Sequence, residues 1–126
     1  MNNYVSTPKA PGAIGPYSQG VTAKGLIFTS GQLGLVPETG NFADGGVQGQ
    51  TRQALMNVKT ILEAAGAGMD SVVKTTVFLK NMSDFAAMNE VYAEFFTEGC
   101  YPARSAVEVA MLPKGGLVEI EVIAAL

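Results

Sequence analysis

The chain contains no histidine, and this absence restricts the chemistry that it can perform. Histidine is the side chain used most often for proton transfer near pH 7, for serine–histidine nucleophiles and for many metal sites. Any catalysis must therefore depend on carboxylates, hydroxyls, lysine, arginine or backbone groups. We expect no metal site.

Cysteine, long apolar runs and basic clusters are also scarce. The single cysteine, Cys100, cannot form a disulfide within one chain, which agrees with a reducing compartment. No apolar stretch approaches the roughly 18 residues of a membrane span, and the amino terminus lacks a signal-peptide pattern. The eight basic residues are scattered and the net charge is −3, which argues against nucleic-acid binding. We therefore expect a cytoplasmic protein that binds neither membranes nor nucleic acids.

Apolar side chains, in contrast, are abundant. Hydrophobic residues make up 48% of the 126 residues and charged residues only 15%. This length suits one domain, residues 1–126, with a substantial core. The apolar excess indicates surface that is buried between copies, so we expect an oligomer.

Hydrophobic periodicity and glycine or proline breaks predict two helices among about six strands. The predicted helices span 47–65 and 84–98, the second with an N-cap at Ser83. The predicted strands span 17–22, 26–33, 71–79, 105–111 and 117–125, with a tight turn after the first and a short extra strand near Tyr4 compatible with the pattern. Two helices can cover one face of a single mixed sheet, which predicts an α+β fold whose other face is buried by neighbouring copies.

Charged residues interrupt strands that are otherwise apolar. Glu119 and Glu121 are two residues apart, so both side chains leave the same face of the last strand. Glu108 interrupts the preceding strand, and Arg104 is predicted at its entrance. A carboxylate removed from water needs a partner, and Arg104 is the obvious cation. The alternatives are a surface salt bridge at Arg104 and a solvated sheet edge at the glutamates.

Five segments in order carry a resemblance over essentially the whole chain: AIGPYSQG at 13–20, FTSGQLG at 28–34, QTRQALMNVKTILEAAG at 50–66, VVKTTVFLKNMSDFAAMNEVY at 72–92 and YPARSAVEVAMLPKGGLVEIEVIA at 101–124. They resemble the RidA/YjgF/YER057c family of enamine and imine deaminases. The resemblance implies a homotrimer with a chorismate-mutase-like fold, sheets facing inward around a barrel, and ligand clefts between subunits. It implies no cofactor.

The resemblance also implies roles for individual residues. Arg104 would clamp a substrate carboxylate with its planar guanidinium, and Glu119 would hold the attacking water and transfer protons. The further positions that it places in the cleft are Tyr17, Ser30, Gly31, Asn89 and Ala106. Many relatives carry cysteine where this chain has Ala106, but a backbone N–H at that position would serve equally well. Cys100 lies outside the motif and is interpreted as an ordinary thiol.

The implied function is hydrolysis of 2-aminoacrylate or 2-aminocrotonate to a 2-oxo acid and ammonia. These reactive compounds are products of pyridoxal-phosphate dehydratases, so the reaction would protect such enzymes from damage. The alternative is a non-catalytic module that binds small 2-oxo acids in the same cleft. RNA cleavage, reported for some relatives, fits poorly with an acidic chain without histidine.

Overall fold

The computed structural model describes residues 2–126 and contains a seven-stranded sheet with two α-helices. The helices are α1 (Gly46–Ala64) and α2 (Phe85–Tyr92). The strands are β1 (Asn3–Val5), β2 (Gly20–Ala23), β3 (Leu26–Thr29), β4 (Gln32–Leu33), β5 (Val72–Leu79), β6 (Ala103–Glu108) and β7 (Val118–Ala125). The predicted α+β class is confirmed. Within residues 2–126, no helix is both long and apolar enough to cross a membrane.

The sheet is mixed, as predicted. Its strand order is β1-β2-β3-β7-β5-β6, and β4 pairs with β7 beside β3. The pairing of β5 with β6 is parallel, whereas all other pairs are antiparallel. Strands β1 and β6 therefore form the two opposite edges of the sheet, and β7 lies near its centre.

The core lies between the helices and one face of the sheet, which we call the helix face. Alternate residues of β7 point into this core: Val118, Ile120, Val122 and Ala124. They meet the apolar side of α1, where Ala54, Leu55, Val58, Ile61 and Leu62 are fully buried. These positions of α1 are the ones whose helical spacing predicted the element.

The opposite side of the sheet, which we call the open face, is covered by neither helix of residues 2–126. In register along it lie Phe28, Phe78, Val107, Glu119 and Ile123. Phe28 is 39% exposed and Val107 is 45% exposed, although both lie in strands. The open face is therefore a largely apolar surface with a few carboxylates on its central strand.

Several predicted boundaries agree with the structure to within a residue. These are the elements α1, β5 and β7, and the short strand near Tyr4 is β1. The predicted tight turn joins β2 to β3, with Lys24 at φ 51 and Gly25 at φ 80. Two successive positive φ angles are the signature of the hairpin turn whose twist matches the flanking strands.

The predicted strands at 17–22 and 26–33 are wrong in extent. The first begins only at Gly20, and the second is two strands, β3 and β4, separated at Ser30 and Gly31. The interruption arises because β3 pairs with the last residues of β7, whereas β4 pairs with Glu119 and Ile120. The residues between them leave the ladder and line a cavity instead.

The predicted helix 84–98 is also too long. Strand-like backbone resumes at Phe96 after α2 and a 3₁₀ turn, and the Phe96 ring lies 4.7 Å from that of Tyr92. Ser83 is not the N-cap, because it lies inside another 3₁₀ turn, and Asp84 precedes α2 without a side-chain capping bond. Only the 3₁₀ turn at Ala93–Phe95 follows α2, and it extends the apolar stripe after the α-helical hydrogen bonds have ended.

Strand β6 spans Ala103–Glu108 rather than 105–111, so Arg104 lies within the strand and not at its entrance. The parallel register with β5 determines this position, since Lys74 to Leu79 pair with Ala103 to Glu108.

Candidate functional site

A cavity of about 560 Å³ surrounds the side chain of Glu119, and we call it the carboxylate cavity. Its lining includes four of the predicted site residues, namely Tyr17, Ser30, Gly31 and Glu119. These four residues come from three segments of the chain: the loop before β2, the break between β3 and β4, and the first residues of β7. The structure brings this part of the predicted site together.

Gly31 allows the Glu119 carboxylate to approach the backbone closely. A Cβ atom at position 31 would lie 2.9 Å from the carboxylate carbon of Glu119 and 3.1 Å from its Oε2. No side chain fits at that distance without displacing the carboxylate. Gly31 therefore leaves the space that the carboxylate occupies, whereas the resemblance implied a close approach of its backbone to the ligand.

Glu119 has no ion pair and no side-chain hydrogen bond with any of residues 2–126. Burial of the carboxyl group raises the pKa of Glu119 above its usual value, and the negative charge of Glu121 raises this pKa further. A raised pKa makes a carboxylate a stronger base, which suits a group that accepts a proton from water. Among the same residues, no three histidine, cysteine, aspartate or glutamate side chains are grouped for a metal ion.

Ser30 and Tyr17 differ in what they can offer a ligand. The Ser30 hydroxyl donates its proton to the carbonyl oxygen of Ser18 at 2.6 Å, so towards a ligand it can act only as an acceptor. The Tyr17 hydroxyl accepts a long contact of 3.4 Å from the Ile14 N–H, which leaves its own proton free to donate. Tyr17 is 50% exposed and lies at the rim of the cavity.

A second cavity, of about 340 Å³, contains Arg104 and is called the guanidinium cavity. Helix α2 supplies Asn89 and Tyr92 to its lining. The Nη1 group of Arg104 donates to Asn89 Oδ1 at 2.7 Å. The guanidinium carbon lies 4.7 Å from the centre of the Tyr92 ring and 5.3 Å from that of Phe85.

Arg104 and Glu119 lie on opposite faces of the sheet. Arg104 pairs with Thr75, which is fully buried on the helix face, whereas Glu119 pairs with Phe78 on the open face. Paired residues of neighbouring strands point to the same side, so the sheet itself separates the two charges. The expectation that Arg104 neutralises a strand glutamate is therefore wrong. The ion pair found within residues 2–126 joins Arg52 to Glu94, and Glu108 accepts a hydrogen bond from the Met82 N–H instead.

Ala106 presents backbone groups at the free edge of the sheet. The N–H of Val109 donates to the carbonyl oxygen of Leu79, and backbone groups alternate in direction along a strand. The N–H and C=O of Ala106 therefore point away from β5 and are accessible at the sheet edge, and the expectation that a backbone N–H suffices at this position stays a prediction. Asn89 lines the guanidinium cavity with Arg104, whereas Ala106 lies outside that lining, two residues along β6 on the same face. The predicted site residues thus form two groups in one chain.

Tyr92 lies within the predicted second helix and is buried in the core, with 5% exposure. Its contact with Arg104 was missed. Phe85, Asn89 and Tyr92 are spaced by four and three residues, so they share one side of α2. That spacing places the amide of Asn89 between two aromatic residues on one side of α2, and it was the sequence signal for this contact.

Comparisons with known proteins show which family this chain resembles. Residues 7–126 match the model of the family described as Endoribonuclease L-PSP. The chain is 52% identical over 124 residues to the 2-iminobutanoate/2-iminopropanoate deaminase of Capra hircus, covering 98% of this chain and 90% of that protein.

Two solved structures are similar over almost the whole fold. RidA from the Antarctic bacterium Psychrobacter sp. is 48% identical with a TM-score of 0.93, covering 98% of this chain and 99% of that one. Escherichia coli TdcF with bound serine is 46% identical with a TM-score of 0.92, covering 98% of both chains. The resemblance inferred from the five sequence segments is thereby confirmed, and the chain belongs to the RidA/YjgF family, the family described as Endoribonuclease L-PSP.

Proposed function

We propose that this chain is a hydrolytic deaminase of 2-iminobutanoate and 2-iminopropanoate, the imine tautomers of 2-aminocrotonate and 2-aminoacrylate. The goat protein that is 52% identical over 98% of the chain is named for this activity. The structural observation that carries the proposal is the unpaired Glu119 carboxylate, partly buried in a cavity of about 560 Å³ beside Tyr17, Ser30 and Gly31. A carboxyl group placed in this way is suited to activate a water molecule.

The proposed catalyst is a homotrimer whose clefts combine Glu119 of one copy with Arg104 of another. Its support is that the two residues line different cavities on opposite faces of one chain. The apolar open face offers surface for such an assembly, since Phe28 and Val107 are 39% and 45% exposed there. The free edge of β6 also carries the unpaired backbone groups of Ala106 into the same interface.

In the proposed reaction, Arg104 binds the substrate carboxylate through N–H groups that Asn89 does not use. Glu119 accepts a proton from water as the water oxygen attacks C2 of the protonated imine, which gives a neutral carbinolamine. Glu119 returns this proton to the nitrogen, the C–N bond breaks with loss of ammonia, and the hydroxyl proton passes to the released ammonia, which leaves the 2-oxo acid and ammonium. Such acid–base assistance contributes about 10²–10⁴-fold. No cofactor is required.

The remaining site residues orient the substrate. Ser30 can only accept a hydrogen bond, which suits an N–H of the imine, whereas Tyr17 and the backbone N–H of Ala106 can donate to oxygen. Gly31 places the Glu119 carboxylate. A small ligand with a carboxylate agrees with the serine bound to TdcF, a relative at 46% identity.

Two further predictions from composition accompany this proposal. The family description names an endoribonuclease, but the net charge of −3 and the absence of a basic run argue against RNA as the substrate. RNA affinity that falls with salt would contradict this prediction. A cytoplasmic location likewise stays a prediction.

The test is the rate at which a pyridoxal-phosphate dehydratase releases 2-oxo acid from serine or threonine, in a buffer without free amines. Wild-type protein should accelerate release, whereas Glu119→Gln and Arg104→Ala should not. Glu63→Gln, which removes the charge of an exposed residue on α1, is the matched control. Undiminished turnover by Glu119→Gln would remove Glu119 from the mechanism.

Binding separates the deaminase from the non-catalytic alternative. Glu119→Gln should still bind 2-oxobutanoate in titration calorimetry, because Arg104 is intact. If the wild type binds 2-oxobutanoate but never exceeds the spontaneous rate of release, the chain is a 2-oxo-acid-binding module and not a deaminase.

A further inference from the structure

We propose that Asn89 and Tyr92 are positioning residues that hold the Arg104 guanidinium for a carboxylate while leaving its positive charge uncompensated. The inference rests on the proposed function for its ligand, and it assigns the selection of carboxylates to two residues of α2. It also changes the role of Asn89, from a direct ligand contact to a support of Arg104.

The guanidinium is held on its edge and on its face. At its edge, Nη1 donates to Asn89 Oδ1 at 2.7 Å, and at its face the Tyr92 ring lies 4.7 Å from the guanidinium carbon. Phe85 adds a second aromatic contact at 5.3 Å. An arginine has five N–H donors in a fixed plane, so one bond to Asn89 leaves a fork of donors for a planar anion.

Tyr92 is itself fixed from the sheet. Its hydroxyl and the Thr75 hydroxyl form a buried hydrogen bond of 2.8 Å, and Thr75 lies in register with Arg104 on the neighbouring strand. The Phe96 ring packs against the Tyr92 ring, with ring centres 4.7 Å apart. The aromatic ring that supports Arg104 therefore cannot rotate away without breaking a buried hydrogen bond.

The neutral charge of Asn89 is as important as its position. The other arginine of the chain, Arg52, contacts both carboxylate oxygens of Glu94 at 3.1 Å, so its charge is compensated. Arg104 instead has an amide where Arg52 has a carboxylate, and no acidic side chain within residues 2–126 forms an ion pair with it. A cation fixed in a cavity without a counter-ion favours an anionic ligand.

The deciding variant is Asn89→Asp in the full-length protein, because aspartate has the shape of asparagine and keeps an acceptor for Arg104. The probe is 2-oxobutanoate in titration calorimetry, with thermal unfolding as the measure of folding. We expect the Kd to rise about 10–100-fold, as for loss of a charge-assisted contact, with an unfolding temperature no lower than that of the wild type. Asn3→Asp, the same change on the exposed strand at the opposite edge of the sheet, should leave both unchanged.

Comparing the Kd of Asn89→Ala with that of Asn89→Asp distinguishes a role in keeping Arg104 uncompensated from a purely structural role. It removes the acceptor but adds no charge, so its Kd should lie between those of the wild type and Asn89→Asp. A purely structural role predicts the reverse order, because aspartate would restore a stronger bond to Arg104. In turnover, both variants should raise KM for the imine far more than they lower kcat. Wild-type affinity in Asn89→Asp would overturn the inference.

The binding measurement separates this inference from the proposed deamination. If the wild type binds 2-oxobutanoate and the variants follow the expected order, the inference holds even where no turnover is found. If the wild type does not bind 2-oxobutanoate, the inference fails whatever the rate of deamination.

Discussion

The carboxylate cavity and the guanidinium cavity contain side chains of opposite charge, and they differ in how many contacts hold the charged group. Glu119 has no polar partner within residues 2–126, lies against a glycine that leaves it room, and has another carboxylate two residues away. Arg104 is contacted on its edge and its face by an amide and two aromatic rings. One charge is left free to change its protonation, and the other is fixed in place.

The sheet between the cavities explains how both charges persist. Within one chain the two residues cannot reach each other, because they leave opposite faces of the sheet from β6 and β7, two strands that β5 separates. A chain optimised only for stability would pair or remove such groups, since an unpaired charge partly removed from water is unfavourable. The comparison therefore supports the proposal that both belong to a site completed by a second copy of the chain.

Mixing two defective variants should give the largest effect. Arg104→Ala and Glu119→Gln should each be inactive alone, but oligomers refolded from an equal mixture should regain about one quarter of the clefts with both residues intact, as expected for random association. The measurement is 2-oxo acid release before and after mixing.

The control mixes each variant with the double variant Arg104→Ala, Glu119→Gln, which cannot restore any cleft. Failure to recover activity in mixtures that demonstrably contain mixed oligomers would place both halves of the site within one chain, against the geometry described above.

Gly31→Ala should lower deamination strongly while the fold persists. Its Cβ would lie 2.9 Å from the carboxylate carbon of Glu119, and displacing a catalytic group by about 1 Å can cost about 100-fold in rate. Gly12→Ala is the matched control, because Gly12 lines the same cavity and a Cβ there meets no atom within 4 Å. Equal activity of the two variants would show that the position of Glu119 is unimportant.

Glu121→Gln should shift the pH dependence of deamination. The negative charge of Glu121 is the second cause, after burial, that raises the pKa of Glu119, so its removal should lower that pKa. Glu119 must lose its proton to act as a base, so the acidic limb of kcat/KM should move to lower pH. Burial remains in the variant, so the shift should be partial. Glu63→Gln should leave the profile unchanged, and an unmoved profile in Glu121→Gln would exclude this coupling.

Ala106→Cys should give the smallest effect. The backbone N–H is the same in both residues, so the rate of deamination should stay at the wild-type value in a reducing buffer. The variant should instead become sensitive to oxidants, which a Cys100→Ser background would assign to the new thiol. A marked increase in rate would show that the thiol itself contributes to the reaction.

Local sequence patterns were sufficient to predict the helices and strands that have a single, regular hydrophobic periodicity. The hydrophobic periodicity of α1 and β5 gave boundaries correct to one residue, although a register shift between Val72 and Lys74 interrupts the pairing of β5 with β7. The alternation in β7 also placed Glu119 and Glu121 on one face correctly. The five family segments led to the two charged residues that dominate the candidate site.

Tertiary pairing determined what the sequence reasoning missed. The face that Arg104 occupies depends on the parallel register of β5 and β6, which no local pattern specifies, so its supposed glutamate partner was wrong. Helix α2 ends before the predicted residue 98, and Phe96 has extended backbone with its ring against Tyr92. The spacing of apolar residues in the sequence does not reveal this contact. The break at Ser30 and Gly31 depends in the same way on two separate pairings with β7.

The separation of Arg104 and Glu119 by the sheet has a consequence for damaged protein in the proposed homotrimer. Each copy contributes a carboxylate to one cleft and a guanidinium to another, so a lesion that spoils both groups disables two clefts and not one. In a mixed population of intact and defective chains, activity would then fall faster than the share of intact chains. In the same arrangement, a newly folded single chain would have no deaminase activity before it assembles with other copies.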